Sequence, residues 1–188
     1  MSKSVKFGFK NVHVAKLTES NGTITYGTPF AIPGGVNFSA DPEGDTNPFY
    51  ADDVKYYVST AKNGYTGSLE IADVPKQFLT DIMGMTEDSN GAIVENSGDK
   101  ESRFALMCEI DGDPTKRRVV FYDCLAIRPS IEYSTKEDNV EVKTATMDLT
   151  IIPRSTDGKV KATLSLTDTN ATVYNSFFSA VYESSASV

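Results

Sequence analysis

Few residues in this chain of 188 have the type and spacing that catalysis or metal binding requires. The single histidine, His13, has no serine or cysteine motif near it, which favours a surface or structural role. Asp52 and Asp53 are adjacent, so on an extended chain their carboxylates point to opposite sides and do not form a shared acid–base pair. The run 111–114, Asp-Gly-Asp-Pro, lacks the spacing and terminal glutamate of an EF-hand, which favours a turn.

The two cysteines carry no metal or redox pattern either. Cys108 and Cys124 lie in neighbouring strand-like runs, where a hairpin would bring their side chains close, but neither the spacing nor the compartment demands a disulfide, and we expect free thiols. Glycine-rich phosphate loops, zinc-spaced ligands and dinucleotide fingerprints are missing from the sequence. We therefore expect a protein without enzymatic activity, cofactor or metal.

Charge and composition further restrict the possible functions and the fold class. The formal net charge of −8 argues against binding nucleic acid through a basic face. The N-terminus has no apolar run of signal-peptide length and no segment is long enough to cross a membrane, so we expect neither export by the general route nor membrane binding. Ten Phe, nine Tyr and no Trp, with many Thr, Val and Ile, favour strands over helices.

The elements that would position any functional side chain are mostly strands. A hairpin is predicted over about 11–31 around Asn21-Gly22, with a bulge or a strand break near Lys10–Asn11 because the alternation of apolar residues changes phase there. The run 104–111 alternates as a half-buried strand would, whereas 119–127 is apolar on both faces. One amphipathic helix is predicted at about 73–84, and residues 160–166 alternate as a last strand before a possible short C-terminal helix.

A long stretch between early strands, about 39–63, has the composition of a contact surface. Residues 40–48 hold too many turn formers to pair well in a sheet, and aromatic residues follow beside two acids. Exposed aromatic surface is usually interface, so we interpret this stretch as a protruding contact arm between subunits, with a solvated loop as the alternative. Its candidate contact residues are Pro48, Phe49, Tyr50, Asp52, Asp53, Tyr56 and Tyr57.

Six short motifs occur in a specific order along the chain. They are YADD (50–53), GYTGSLEI (64–71), DVPKQFLTDIMG (73–84), FALMCEIDGD (104–113), YDC (122–124) and RPSIEYSTKE (128–137). With this set the chain resembles the major tail protein of long, non-contractile-tailed bacteriophages, from the N-terminal strand to about residue 152. From residue 153 onward the similarity is one of layout more than of residues.

The resemblance implies a single tail-tube domain over residues 1–188. Its fold would be a β-sandwich or open barrel with one flanking helix, an N-terminal arm (about 1–10), the contact loop (about 39–63) and a C-terminal extension (about 153–188). Members of this family form hexameric rings that stack, and the sheets of neighbouring subunits join into one inner β-barrel. The resemblance therefore implies a virion protein, made and assembled in the host cytoplasm.

The implied partners are other copies of the chain, the tape-measure protein and DNA in the lumen without tight binding, and the tail terminator and distal tail proteins at the ends. A lumen wall rich in carboxylates would repel phosphates. Candidate lumen acids are Glu70, Glu109, Glu141 and Asp148. The alternative function is a monomeric or dimeric β-sandwich module that binds carbohydrate on its aromatic residues.

Overall fold

The computed structural model describes residues 8–44, 46–51, 53–60, 62–112, 115–132 and 143–184, with residues 46–51 and 55–60 described by their backbone alone. The protein is mainly β, as predicted. Its strands are β1 (Phe9–Ser20), β2 (Thr23–Tyr26), β3 (Phe30–Ala31), β4 (Gly35–Glu43), β5 (Thr46–Ala51), β6 (Val54–Thr60), β7 (Gly64–Ile71), β8 (Thr86–Glu87), β9 (Ile93–Val94), β10 (Phe104–Ile110), β11 (Arg118–Ala126), β12 (Ala145–Ile151) and β13 (Lys161–Leu164). The two short helices are α1 (Lys76–Asp81) and α2 (Ala171–Asn175).

One large antiparallel sheet holds most of these strands. Its main path runs β2-β1-β10-β11-β12-β7-β4, while β3 pairs with β1 and β13 with β11. The predicted turn between β1 and β2 is confirmed, because Asn21 and Gly22 both have positive φ, at 51° and 73°, as a tight hairpin requires. The predicted bulge is confirmed as well: the register of β1 against β10 shifts between Lys10 and His13.

The sheet curls on itself as an open barrel, which brings its β4 edge towards β1. Phe9 of β1 and Phe38 of β4 stack with ring centroids 5.9 Å apart, and Phe38 meets Phe121 of β11 edge-on at 5.3 Å. A Cβ atom on Gly35 would lie 2.8 Å from the side chain of Val12, so only glycine allows the approach. The main core fills the space inside this curl.

Helix α1 is shorter than the predicted 73–84. Pro75 stands directly before its first residue. The Asp73 carboxylate accepts from the neighbouring Val74 N–H at 2.9 Å and does not cap the helix. The helix ends early because the Phe78 carbonyl accepts from both Ile82 and Met83, which widens the last turn. The predicted apolar face is confirmed: the side chains of Phe78, Ile82 and Met83 are buried against the sheet.

The prediction that residues 40–48 would not pair in the sheet is wrong for its first part. Residues 40–43 extend β4 and pair with β7, Asp41 opposite Thr66 and Pro42 opposite Tyr65. A proline is tolerated there because β4 is the end strand of the path, where a missing N–H can face away from the sheet. The stretch predicted as a loop over 39–63 is thus the end of β4 followed by a separate two-stranded hairpin, β5–β6.

Strand β10 is covered on both faces, whereas the sequence predicted one. Its second face, with Ala105 and Met107, packs under residues 165–184, called here the C-terminal segment, whose Phe177 is buried. Cys108 and Cys124 are both free, as predicted, and both are buried. They are not opposite each other in the hairpin, because Cys108 pairs with Val119 and Cys124 with Phe104. The C-terminal helix is confirmed as the five residues of α2.

Two arginines hold the C-terminal segment in place. The guanidinium of Arg118 lies over the Tyr174 ring at 3.8 Å and also donates to the Tyr174 carbonyl. Arg154, almost fully buried, donates to Glu183 near the end of the segment at 2.5 and 2.9 Å and to Asp157 at 2.6 and 2.8 Å. Charge-assisted bonds from a fixed planar donor are among the stronger and more directional polar contacts.

Candidate functional site

The outward side of three adjacent strands forms a continuous polar surface. In β7 and β12, Leu69, Ile71, Met147, Leu149 and Ile151 point into the core, so the residues between them point outward. The strand pairing places the outward residues of β4 in the same rows. We call this surface the polar face; it consists of Asn37, Ser39, Asp41, Glu43, Thr66, Ser68, Glu70, Thr146, Asp148 and Thr150.

The polar face is acidic and hydroxylated. Four of its ten side chains are carboxylic acids, and β4, β7 and β12 contain no Lys, Arg or His. Ser39 and Ser68 share a hydrogen bond of 3.1 Å between their hydroxyls across β4 and β7. At one end, Thr144 donates to Glu70 at 2.6 Å, and at the other Thr66 donates to Glu43. Such a surface is well hydrated, and its three strands provide no cationic side chain that could bind an anion.

Two of the four sequence-predicted acids lie on this face. Glu70 on β7 and Asp148 on β12 are both outward and belong to neighbouring strands. Glu109 lies elsewhere, on β10, where Arg118 Nε is 2.9 Å and Lys10 Nζ 3.6 Å from its carboxylate, so its charge is neutralised. Glu141 is outside the described residues. Sequence reasoning missed Asp41 and Glu43 because it placed them in an unpaired turn.

The predicted contact arm is the β5–β6 hairpin. Its strands pair only with each other among the described residues, from Thr46 opposite Thr60 to Ala51 opposite Val54, with a register shift next to Phe49. Asp53, with φ of 60°, makes the turn at the tip and is exposed, as is Val54 at 58%. Asp52 is outside the described residues, and Pro48, Phe49, Tyr50, Tyr56 and Tyr57 are described by backbone alone.

The histidine and the two cysteines, the other residues considered for catalysis or metal binding, are packed into the fold. The His13 ring stacks on Phe178 with centroids 4.6 Å apart. Burial raises the pKa of the Cys108 thiol to about 12 and also raises the pKa of the Cys124 thiol, so neither thiol is activated. No group of three or more metal-ligating side chains occurs among the described residues, and no described helix is long and apolar enough to cross a membrane.

Asp123 is a fully buried acid that also serves the fold. Arg103 donates to it at 2.9 Å, and Arg103 in turn donates to Glu19. Burial raises the pKa of the Asp123 carboxyl, and the neighbouring Arg103 charge opposes that rise.

With the fold and the polar face described, comparison with known proteins identifies the chain's family. A family model described as phage tail tube protein matches residues 1–152. The chain belongs to this family. It is therefore a structural component of a phage tail, and membership of the phage tail tube family implies assembly with other copies and with other tail components.

A solved structure agrees with this family at the level of the fold. It is the cryo-EM structure of the anti-feeding prophage cap, described as a tube terminating cap, with a TM-score of 0.50 and 9% sequence identity over 88% of this chain and 97% of that chain. No curated protein matches the sequence. The family match ends at residue 152, so the C-terminal segment and Arg154, one of the two arginines that hold it, lie outside the match, whereas Arg118 lies inside it.

Proposed function

We propose that the chain forms hexameric rings that stack into the phage tail tube, with the polar face lining the channel through which DNA passes. The observation that carries this proposal is the polar face itself: three adjacent strands whose outward side is hydroxylated and acidic and whose sequence contains no base. A surface of this kind suits contact with a moving polyanion, which must not bind tightly to the wall.

Electrostatics support this assignment. Duplex DNA carries about one negative charge per 1.7 Å of its axis, and fixed charges act over about 8–10 Å at physiological salt. Carboxylates repeated around a ring would hold the phosphates and their hydration shell away from the wall. The hydroxyls of Ser39, Ser68 and Thr150 keep the wall wet without adding positive charge.

Ring closure would use the two free edges beside the polar face. One edge is β4, the end strand of the sheet. On the other side, β10 begins opposite Cys124. Beyond that point the backbone pairs, among the described residues, only with β12: Ile127 N–H donates to the Asp148 carbonyl and Ser130 N–H to the Thr146 carbonyl. Leu125, Ile127 and Ile131 are exposed along this edge, at 41%, 61% and 71%. Joining the two edges of successive copies would cover the apolar side chains and continue the barrel.

The β5–β6 hairpin would supply contacts between subunits or between stacked rings. An isolated two-stranded hairpin is marginally stable in water, so packing against another copy would stabilise it. The tape-measure protein would share the channel with DNA, and the tail terminator and distal tail proteins would meet the tube ends. Assembly would take place in the host cytoplasm.

Negative-stain electron microscopy of the purified protein tests the assembly. Six-fold rings or tubes with a central channel are expected. A protein that stays monomeric or dimeric over a wide range of concentration and salt would contradict the proposal and favour a binding module.

A charge reversal tests the channel lining. Asp148→Lys should leave tubes intact but make them retain duplex DNA at low salt, and should slow genome ejection from phage that carry it. Asp168→Lys, at an exposed position outside the three strands, is the matched control. Equal DNA retention by both variants would show that the polar face does not line the channel.

The hairpin is tested by truncation of its aromatic side chains. Replacing Phe49, Tyr50, Tyr56 and Tyr57 by Ala should abolish tube growth with little change in the monomer's circular dichroism and melting. Long tubes formed by this variant would show that the hairpin is not a contact arm.

A further inference from the structure

Three Asn-Gly pairs occur in the sequence, at residues 21–22, 63–64 and 90–91. In such a pair the backbone nitrogen of the glycine can approach the side-chain amide carbon of the asparagine closely, because glycine has no Cβ atom to obstruct it. Asn21, Asn63 and Asn90 are all exposed to solvent. The residue types are therefore the same at the three sites, and the fold around them is what distinguishes them.

We propose that Asn21 is a site of spontaneous deamidation in the folded protein, whereas Asn63 and Asn90 are protected. In this reaction the Gly22 nitrogen forms a bond to Cγ of Asn21, and ammonia leaves as the bond between Cγ and the side-chain nitrogen breaks. The proton of the Gly22 N–H passes to the leaving group through solvent. Water then opens the resulting five-membered succinimide at either of its carbonyl groups, so the products are aspartate and isoaspartate.

The Asn21-Gly22 turn can reach the reactive geometry while the hairpin stays paired. Asn21 and Gly22 have φ of 51° and 73°, as in a type I′ turn, and Ser20 pairs with Thr23 on either side of it. In the succinimide the glycine nitrogen lies on the same side as the asparagine Cβ, which requires ψ of about −120° at Asn21, as in a type II′ turn. Rotation of the peptide group between Asn21 and Gly22 converts one turn type into the other, and both types fit a two-residue hairpin loop.

The peptide group at Gly22 has room for this rotation. Its N–H has no backbone hydrogen-bond partner among the described residues, and a Cβ atom built on Gly22 would have nothing within 4 Å. The rotation takes φ of Gly22 to a negative value, which glycine accepts as readily as a positive one. Strand β2, which follows the turn, has only four residues and is the end strand of the main path. Such a tip opens at low cost compared with the core strands.

The other two Asn-Gly pairs are held by their surroundings. The Gly91 N–H donates to the Asp88 carbonyl at 3.0 Å, and the Asn90 N–H donates to the Asp88 carboxylate at 2.8 Å. Rotation of the peptide group between these two residues would break the first of these bonds. In the remaining pair Gly64 is buried in β7, where a Cβ atom would lie 2.0 Å from the Ile151 carbonyl oxygen. Neighbouring backbone therefore occupies the space that a rotating peptide group needs.

Deamidation would change both the charge and the length of the turn. Each product adds one negative charge, and isoaspartate also carries the backbone through its Cβ atom, which lengthens a two-residue loop and disturbs the strand pairing beside it. Strand β2 ends at Tyr26, whose hydroxyl donates to the Tyr122 carbonyl at 3.0 Å, so a loosened β2 would weaken this contact as well. A phage particle makes no new protein, and the products would therefore accumulate as a tail ages.

Peptide mass spectrometry of purified protein, stored at mildly alkaline pH below the concentration of tube growth, tests the assignment. Asn21 should deamidate about tenfold faster than Asn63 and Asn90, or more, because the cost of local opening differs between sites of one structure. In urea all three should react at similar rates, since each is an Asn-Gly pair and the fold is lost. Equal native rates at Asn21 and either other site would overturn the proposal, and so would an equally large preference for Asn21 in urea.

A variant connects the modification with the hairpin. Asn21→Gln keeps the amide but would have to form a larger ring, so its aged protein should show no change of charge at this turn. Hydrogen exchange of the β2 amides should rise with age in the wild-type protein and stay at its fresh value in Asn21→Gln. An equal rise in both proteins would contradict the role of Asn21. The assay needs neither rings nor tubes, so a negative result would remove this inference alone and leave the proposed function standing.

Discussion

Replacing Gly67 by Ala should destabilise the protein by forcing β4 away from β7. A Cβ atom at this position would lie 2.0 Å from the Ser39 carbonyl oxygen of β4. Close carbon–oxygen contacts are about 3.3 Å, so the strands would have to separate by roughly 1.3 Å. Overpacking of this kind costs about 1–3 kcal/mol, and we expect the upper end because the obstacle is backbone. At about 2–4 °C per kcal/mol for a chain of this size, a loss of ~3 kcal/mol lowers Tm by about 6–12 °C.

Thermal unfolding followed by circular dichroism, at a concentration below tube growth, measures this loss. Gly98→Ala is the matched control, because a Cβ atom there has nothing within 4 Å, and its Tm should stay within about 2 °C of wild type. If Gly67→Ala melted like this control, β4 would not pair with β7 as described. The residues that β4 contributes, including Asp41 and Glu43, would then not belong to the polar face.

Three further predictions concern the C-terminal segment, acid stability and the thiols. Phe177→Ala should cost about 3–5 kcal/mol in urea unfolding because the ring is buried, whereas Val173→Ala, at a half-exposed site, should cost little; equal losses would contradict the packing. Hydrogen bonds from a buried arginine lower the pKa of Asp157, so the stability that it contributes is present above the ordinary carboxyl pKa of 3.8 and is lost as pH falls below it. Asp157→Asn should therefore flatten the acid limb of the stability–pH curve, and an unchanged limb would refute this. Cys108 and Cys124 should react with a thiol reagent only as fast as the protein opens, so rapid labelling under native conditions would contradict their burial.

Local sequence signals predicted the strands and turns well where the fold depends on local chemistry. Asn21-Gly22 makes the hairpin turn because both residues accept positive φ, and the phase change near Lys10 is a bulge because the side-chain period of a strand is two. Such features depend on a few adjacent residues. Single-sequence reasoning can therefore find them without knowledge of the tertiary contacts.

The sequence-based predictions were wrong where tertiary contacts override the local preference of the residues for strand or turn. Pro42 and its polar neighbours resemble a turn, yet they pair in β4 because the strand lies at an edge. Strand β10 alternates as a half-covered strand, but the C-terminal segment, more than 50 residues further along the chain, covers its second face. The acids of the polar face were predicted only in part for the same reason. Glu70 and Asp148 were named from the sequence, but the strands that share a surface with them depend on the order of strands in the sheet, which the sequence does not show.

Pro42 also restricts how the β4 edge can be extended. The Glu43 carbonyl accepts from Asn63 N–H, on the side towards β7, so the backbone of Pro42 faces the free edge. Another strand added along this edge finds an N–H donor at Ala40 but none at Pro42. A strand added along this edge would therefore lose one ladder hydrogen bond opposite Pro42, which disfavours any alignment that places an acceptor there.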